Sequence, residues 1–119
     1  GIRANLEQMV SYGVTLPEAT IKAYIDSQPY VAGKGLELIN TQYWVATFLD
    51  GNEAWANFRR SGFPALKKNP YPGSEVKGDF IRRMPYPDSE IVVNSGKLNE
   101  AITRQGPNTL DTRMWWDKK

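Results

Sequence analysis

The segment GNEAWANFRRSGFPAL, residues 51–66, places two adjacent arginines one helical turn after a tryptophan. Guanidinium groups bind oxyanions through paired hydrogen bonds, so Arg59 and Arg60 could form an anion site. The spacing also has a structural interpretation. Cations at the end of a helix interact with its free carbonyls, and Trp55 can stack on Arg59 at i+4. We favour the structural interpretation, in which the arginines hold loop carbonyls or acids from elsewhere in the protein.

Two carboxylates, Asp50 and Glu53, lie three residues apart at the start of the same helix. A glycosidase uses two carboxyl groups roughly 5–10 Å apart across a cleft. Acidic residues at a helix start more commonly cap the helix and interact with its dipole. The 119 residues contain no histidine and no cysteine, which excludes histidine-based triads and thiolate chemistry within them. We therefore favour the structural interpretation of Asp50 and Glu53 and predict no metal and no cofactor, and catalysis would need carboxylates, lysine, tyrosine or serine.

Basic residues occur in two further pairs, Lys67 with Lys68 and Arg82 with Arg83. A nucleic-acid interface needs basic side chains clustered on one face, with aromatic groups for stacking. In an extended segment Arg82 and Arg83 would point to opposite faces. The formal net charge is only +2. We predict no nucleic-acid partner.

Aromatic residues are the ones that could contact a sugar, because their flat apolar faces stack on sugar rings. The chain has four tryptophans and six tyrosines. Trp44 and Trp55 fall on apolar faces of predicted helices and are expected in the core. Tyr71 and Tyr86 lie beside prolines in predicted loops, and Trp115 lies in the C-terminal tail. These last three are the candidates for a glycan contact.

Hydrophobic periodicity predicts a mainly α-helical chain. Apolar residues recur at helical spacing in short windows that end at glycine or before proline. The predicted helices cover residues 2–12, 16–28, 36–49, 53–61, 88–93 and 98–104. Predicted N-caps are Thr15, in a capping box with Glu18, and Asn52 and Asp88.

Two features predict that the 119 residues need a covering surface. Residues 36–49 carry apolar side chains around nearly the whole helix circumference, which predicts a helix buried on all sides. Residues 62–87 contain five prolines and three glycines, which predicts a long irregular loop with a short extended segment at residues 80–84. The chain starts at Gly1 rather than methionine. We expect residues 1–119 to be one segment of a larger chain, whose N-terminal part completes the core.

Several strings carry a resemblance to a known family. They are GIRANLEQ from Gly1, TQYW from Thr41, EAWANFRRSGFP from Glu53, RRMPYP from Arg82 and TRMWWDK from Thr112. In this order they resemble the C-terminal part of the SusD/RagB family, in its starch-binding branch from Bacteroidetes. The string EAWANFRRSGFP is the most specific of these. The motif residues that it carries are Glu53, Trp55, Arg59, Arg60, Gly62 and Pro64, and the string TQYW adds Trp44. One departure is Tyr43, where members of the family usually carry lysine.

The resemblance implies the C-terminal part of a helical fold, with short helices joined by long Pro/Gly-rich loops. Members of the family are outer-membrane lipoproteins at the cell surface. They bind oligosaccharides or other nutrients, work with a SusC-like TonB-dependent transporter and are not enzymes. The lipid-bearing cysteine would lie on the missing N-terminus. Glycan contacts in the family come largely from upstream segments, so no binding residue transfers to this stretch.

Two alternatives to glycan binding remain at this point. The chain could be a structural segment that contacts the transporter and never the glycan. It could also be a fragment of a carboxylate-based glycoside hydrolase, which we favour less because no catalytic pair is apparent.

Overall fold

The computed structural model describes residues 1–78 and 80–117, and this part of the chain contains helices, turns and irregular segments but no β-strand. The helices are α1 (Ile2–Gln8), continued by a 3₁₀ turn (Met9–Tyr12), then α2 (Glu18–Asp26), α3 (Gly35–Ala46), α4 (Gly51–Ser61), α5 (Asp88–Val93) and α6 (Ser95–Gln105). The predicted mainly α fold is confirmed. The chain divides into two compact units, Gly1–Ala65 and Leu66–Lys119. Lys118 of the tail motif lies outside the described residues.

In the first unit, α1 packs against α2 and α3, and α3 packs against α4. The contact between α3 and α4 includes the rings of Trp44 and Phe58, whose centroids are 6.2 Å apart in an edge-to-face arrangement. Phe58 and Ala54 of α4 are buried, as is Ile21 of α2. The expectation that Trp44 packs on an apolar helix face agrees with this contact.

The predicted capping box at the start of α2 is wrong. The helix begins at Glu18 after Pro17, and no side chain caps it. A proline disfavours the helical conformation of the residue before it. The helix therefore begins after Leu16, which precedes Pro17, and not at Leu16 as predicted. Glu18 instead accepts two hydrogen bonds from Arg3 of α1, at 2.9 and 2.8 Å. This bidentate ion pair lowers the pKa of Glu18 chiefly through the hydrogen bonds from Arg3.

Two other predicted caps are also wrong. The cap of α4 is Asp50 rather than Asn52, since its carboxylate accepts the Glu53 amide at 3.1 Å. The carboxylate two residues earlier reaches the free amide of the first turn, and Asn52 becomes part of the helix. At α5 the N-cap position is Pro87, and Asp88 lies in the first turn without a capping hydrogen bond.

The helix predicted at residues 36–49 is not buried on all sides by the described residues. The helix α3 ends at Ala46, and only Asn40 among its residues is buried. Leu36 and Ile39 are exposed, as is Phe48 just beyond the helix. The cause is geometric, because α1 and α4 cover only part of the circumference of α3.

The second unit is built around the pair α5 and α6, with Leu98 buried. The predicted extended segment at residues 80–84 forms no strand in its described part. The amides of Arg82 and Arg83 both donate to the carbonyl of Leu110, at 2.7 and 3.2 Å. Two consecutive amides that share one acceptor cannot continue a ladder, in which alternate residues face the partner.

Candidate functional site

The corner at the end of α4 carries the motif Trp55, Arg59, Arg60, Gly62 and Pro64. The Arg59 guanidinium lies 3.9 Å from the centroid of the Trp55 ring, which is the predicted cation–π stack. Gly62 ends the helix in a left-handed conformation with φ of 77°, which favours glycine. The Phe63–Pro64 peptide bond is cis. These features describe a packed helix end rather than an open anion site.

Arg60 has a partner within its own helix. Its side chain is exposed, and Nη2 donates to Oδ1 of Asn57 in the same helix at 2.7 Å. Among the described residues, the observed partner of Arg60 lies in its own helix and is neither a loop carbonyl nor a distant acid. Asn57 is buried, so the arginine satisfies a polar group that would otherwise lack a partner for its oxygen.

The carboxylates considered for glycosidase chemistry have structural contacts. Asp50 caps α4, and Glu53 accepts a hydrogen bond from the Tyr43 hydroxyl at 3.1 Å. That bond raises the pKa of Tyr43, because the neutral phenol donates to a negative acceptor. Both carboxylates therefore have the structural contacts that are common for acidic residues at the start of a helix.

The paired arginines of the second unit do not form an exposed basic stripe. Arg83 is only 6% exposed, and its Nε donates to the Met84 carbonyl at 3.1 Å. Arg82 lies 3.6 Å from a carboxylate oxygen of Asp117. Lys68 donates to backbone carbonyls in its own loop. Within the described ranges no group of three or more metal-ligating side chains could hold a metal ion.

Tyr86 is the least accessible of the three candidate aromatics. The Arg83 guanidinium lies 4.5 Å from its ring centroid and covers one face. The Tyr86 hydroxyl donates to Oε1 of Gln105 at 3.3 Å, and its amide donates to Oδ1 of Asn108 at 2.8 Å. A sugar could therefore stack on one face of this ring at most.

Tyr71 is 70% exposed and stands at the start of a tight turn. The Ser74 amide donates to the Tyr71 carbonyl at 3.1 Å. Pro72 and Gly73 occupy the two central positions, and the φ of 85° at Gly73 is the value that a type II turn requires. The turn presents the phenol ring to solvent.

The loop that carries Tyr71 is closed by side chains. Lys68 donates to the carbonyls of Val76 and Gly78, at 3.2 and 2.6 Å. The Gly78 amide donates to the Asp111 carboxylate at 2.7 Å. Hydrogen bonds from the Thr109 side chain and the Gly78 amide lower the pKa of Asp111. A loop closed in this way has lost much of its conformational freedom before any ligand arrives.

Trp115 is 81% exposed and lies in a turn anchored by buried charge. The Asp117 amide donates to the Met114 carbonyl at 2.9 Å. The Asp117 side chain is almost buried, and it accepts from Arg113 at 2.9 Å and faces Arg82. The indole therefore projects into solvent from a braced backbone, as a stacking platform would require.

A groove that we did not predict lies between α1, α2 and α3 in the first unit. We call it the α1–α3 groove; its volume is about 380 Å³. Its wall includes Gly1, Ile2, Leu6, Tyr24, Tyr30, Leu38, Ile39, Gln42, Tyr43 and Ala46. The apolar circumference of residues 36–49 was the signal for this surface, although it did not indicate which elements would form the groove.

Three polar side chains of the groove, those of Tyr24, Gln28 and Gln42, are bonded to one another. The Tyr24 hydroxyl donates to Oε1 of Gln42 at 3.3 Å, and Nε2 of Gln42 donates to Oε1 of Gln28 at 3.0 Å. The residues that line the groove carry no charged side chain. The groove is therefore mainly an apolar surface with a short chain of satisfied amides.

Comparison with known proteins places these features in a family. The model described as "SusD-like: Susd and RagB outer membrane lipoprotein" matches residues 5–117. Among curated proteins no significant match exists. The described residues contain no helix long and apolar enough to cross a membrane.

Solved structures are similar over most of the chain. One described as a chitin-binding protein is 33% identical with a TM-score of 0.83, over 98% of this chain and 26% of its own length. A Bacteroidetes AC2a SusD-like structure is 31% identical with a TM-score of 0.78, over 99% of this chain and 24% of its own. A chitin-binding SusD homolog from Flavobacterium johnsoniae is 35% identical with a TM-score of 0.64, over 76% of this chain and 20% of its own. The chain spans about a quarter of the length of the first two structures.

Proposed function

The chain belongs to the SusD-like family of SusD and RagB outer membrane lipoproteins, and from this premise we propose that it is the C-terminal segment of a non-catalytic cell-surface protein that binds oligosaccharides. In this proposal the protein works with a SusC-like TonB-dependent transporter that receives the bound nutrient. A lipid anchor on the N-terminal remainder holds the protein at the outer membrane.

The observation that carries the proposal is the similarity to a structure described as a chitin-binding protein, which extends over 98% of this chain at 33% identity. A second matched structure is also described as chitin-binding. Oligosaccharides of N-acetylglucosamine are therefore the first ligands to test. The structures are described as binding proteins, which supports a binding role over hydrolysis.

The chain's own contribution to binding is assigned to Trp115 and Tyr71. Both rings are exposed, and both stand on turns braced by hydrogen bonds or ion pairs. Rings that are held in place before binding lose little conformational entropy when a sugar stacks on them. Tyr86 is a weaker candidate, because Arg83 covers one of its faces.

The proposal is tested by isothermal titration calorimetry with chitin and starch oligosaccharides. The titrations are run on the 119-residue chain and on the longest natural protein that contains it. We expect the longer protein to bind, and chromatography of the recovered sugar to show the ligand unchanged. Shortened products would support the hydrolase alternative. If no sugar gave a binding signal in the titrations, glycan binding would be contradicted.

A transporter-interface segment without glycan contact is the second candidate function. Val92 and Val93 of α5 are among the most exposed large apolar side chains of the described residues. Adjacent exposed valines favour a protein contact over a sugar contact. Replacement of both by aspartate should abolish capture of a SusC-like partner and leave glycan binding unchanged, if this face is the transporter interface.

A further inference from the structure

Another cavity of the first unit lies at the start of α3. We call it the α3-start pocket; its volume is about 560 Å³. Its wall includes Tyr30, Gly33, Lys34, Gly35, Glu37 and Phe63. Tyr30 also lines the α1–α3 groove, but the two cavities differ in chemistry, because the α3-start pocket has one positive and one negative side chain in its wall.

The ring of Tyr30 lies against the first residue of α3. A turn joins Tyr30 to this helix, and the Lys34 amide closes the turn by donating to the Val31 carbonyl at 3.1 Å. A Cβ atom on Gly35 would be 2.8 Å from the Tyr30 hydroxyl oxygen and 3.4 Å from two carbons of its ring. Glycine at this position therefore allows the ring to lie against the helix, while Tyr30 remains 73% exposed.

Phe63 adds a second aromatic side chain to the pocket wall, and this one is half-buried. The Ser61 hydroxyl accepts a hydrogen bond from the Phe63 amide at 3.1 Å and donates to the Phe63 carbonyl at 3.3 Å. Both aromatic residues are thus attached to backbone that hydrogen bonds hold in place. Less conformational entropy is lost on binding when the groups that contact a ligand are held in this way.

The polar side chains of the pocket are available to a ligand. Within the described ranges, no hydrogen bond or ion pair engages the Tyr30 hydroxyl, the Lys34 ammonium or the Glu37 carboxylate. An ammonium donates hydrogen bonds, a carboxylate accepts them and a phenol does both. Sugar hydroxyls also donate and accept, and sugar rings stack on flat aromatic faces. Because the wall has one charge of each sign, it favours a neutral sugar over an anionic one.

We propose that the α3-start pocket binds one unit of a neutral oligosaccharide, which stacks on Tyr30 and forms hydrogen bonds with Lys34 and Glu37. This site lies in the first unit and is additional to the rings of Tyr71 and Trp115, which belong to the second unit. The inference rests on the proposed oligosaccharide function, so its test reads the pocket and the turn of Tyr71 separately.

Two glycine amides report on the two places. Gly33 lines the pocket, and Gly73 lies in the turn of Tyr71. The longest natural protein that contains the chain is labelled with ¹⁵N-glycine and titrated with triacetylchitotriose or maltotriose, and NMR spectra follow both amides. The Gly33 signal should shift and saturate with at least one of these sugars. A shift of Gly73 without a shift of Gly33 would overturn the inference and leave the proposed function intact.

Gly35→Ala changes the position of the Tyr30 ring without removing it. The added methyl group displaces only the far end of a side chain that can move, so the Tm should not fall. Half-saturation of the Gly33 shift should need at least about fivefold more sugar, as it should in Tyr30→Ala, because the stacking contact is lost.

Gly51→Ala is the matched control for the glycine substitution. Gly51 is the first residue of α4, and a Cβ atom there would meet nothing within 4 Å. This variant should bind sugar at the pocket as the wild type does. Wild-type affinity in both Tyr30→Ala and Gly35→Ala would overturn the inference.

Trigalacturonic acid tests the preference for a neutral sugar. The Glu37 carboxylate should repel its carboxylates, so half-saturation of the Gly33 shift should need at least about fivefold more of it than of the better neutral trisaccharide. Tighter binding of trigalacturonic acid would assign the pocket to an anionic sugar and overturn the inference.

The remaining outcomes are also decisive. If neither glycine signal shifts and calorimetry detects no binding, both the proposed function and this site are wrong. If Gly33 does not shift and Tyr30→Ala lowers the Tm of the longer protein, another part of that protein covers the pocket, and the inference is overturned.

Discussion

The tryptophans of this chain have different environments. The environment of an indole decides whether it contributes to stability or is available to a ligand. Trp44 and Trp55 are half-buried at the α3–α4 corner, whereas Trp115 is exposed. An indole in the corner contributes packing and a cation–π contact to stability. An exposed indole contributes almost nothing to stability and is free to meet a ligand.

Trp115→Ala tests the ligand role at this scale. We expect oligosaccharide binding by the longer protein to weaken about fivefold, since loss of one stacking contact corresponds to about 1 kcal/mol. The Tm should not change, because the ring makes few contacts within the chain. Calorimetric titration measures the affinity, and Trp115→Phe, which keeps a flat ring, should retain most of it. Unchanged affinity in Trp115→Ala would contradict the assignment.

Trp55→Ala is the matched variant for the corner. Loss of a half-buried indole and of its contact with Arg59 should lower the free energy of unfolding by about 2 kcal/mol. Chemical denaturation of Trp55→Ala beside Trp115→Ala separates the two roles, because the same side chain is removed in both. Variants that still fold should bind oligosaccharide normally. A loss of binding at unchanged stability would contradict the structural interpretation of the corner.

At the scale of elements, helix starts depend on which side chain reaches the free amides of the first turn. Asp50→Ala removes the only side-chain cap observed among the described helices and should cost about 1 kcal/mol. Asn52→Ala is the control, because Asn52 lies within the helix and should have little effect. Denaturant midpoints of the two variants give the comparison. A larger loss of stability in Asn52→Ala would show that Asn52 is the cap, as predicted from the sequence.

The loop of Tyr71 should respond to acid through Asp111. The folded pKa of this carboxylate is lowered, so the contact stabilises the loop above the ordinary value of 3.8 and is lost as the pH falls through the lowered pKa. The protection factor of the Gly78 amide, which is its intrinsic exchange rate divided by the rate measured by NMR at the same pH, should fall between pH 5 and about pH 2. In the variant Asp111→Ala this protection factor should be low at every pH. A wild-type amide that stays protected at low pH would contradict this account.

At the scale of the whole molecule, the 119 residues bury little apolar surface. The buried hydrophobic residues of the described ranges are Ile21, Ala54, Phe58 and Leu98. Small cores of this kind give marginal stability, because conformational entropy opposes folding at every residue. Large apolar side chains on α3 and α5 remain exposed.

The isolated chain should therefore unfold with weak cooperativity or associate with itself. We expect a shallow urea transition with an m-value below that usual for a domain of this length, and a sharp transition in the longer protein. Circular dichroism and sedimentation velocity make the comparison. A sharp transition from a monomeric 119-residue chain would show that the chain is a self-sufficient domain.

Much of the fold followed from local sequence patterns. Periodicity predicted helices close to all those observed, and the i, i+4 spacing predicted the Trp55–Arg59 stack. Gly62 at the end of α4 was recognisable because a left-handed helix end favours glycine. The string around Glu53 and Trp55 also predicted the family. The family model that matches residues 5–117 confirms this prediction.

Tertiary structure decided the contacts that join residues far apart in sequence. Glu18 pairs with Arg3 instead of capping its own helix, and Asp111 holds Gly78 across 33 positions. The sequence indicated that residues 36–49 need a covering surface, but not which part of α3 its neighbours cover, because an apolar circumference shows what a helix can bury and not where its neighbours lie. Periodicity is a property of one element, whereas burial and electrostatic pairing depend on how the elements are arranged in three dimensions.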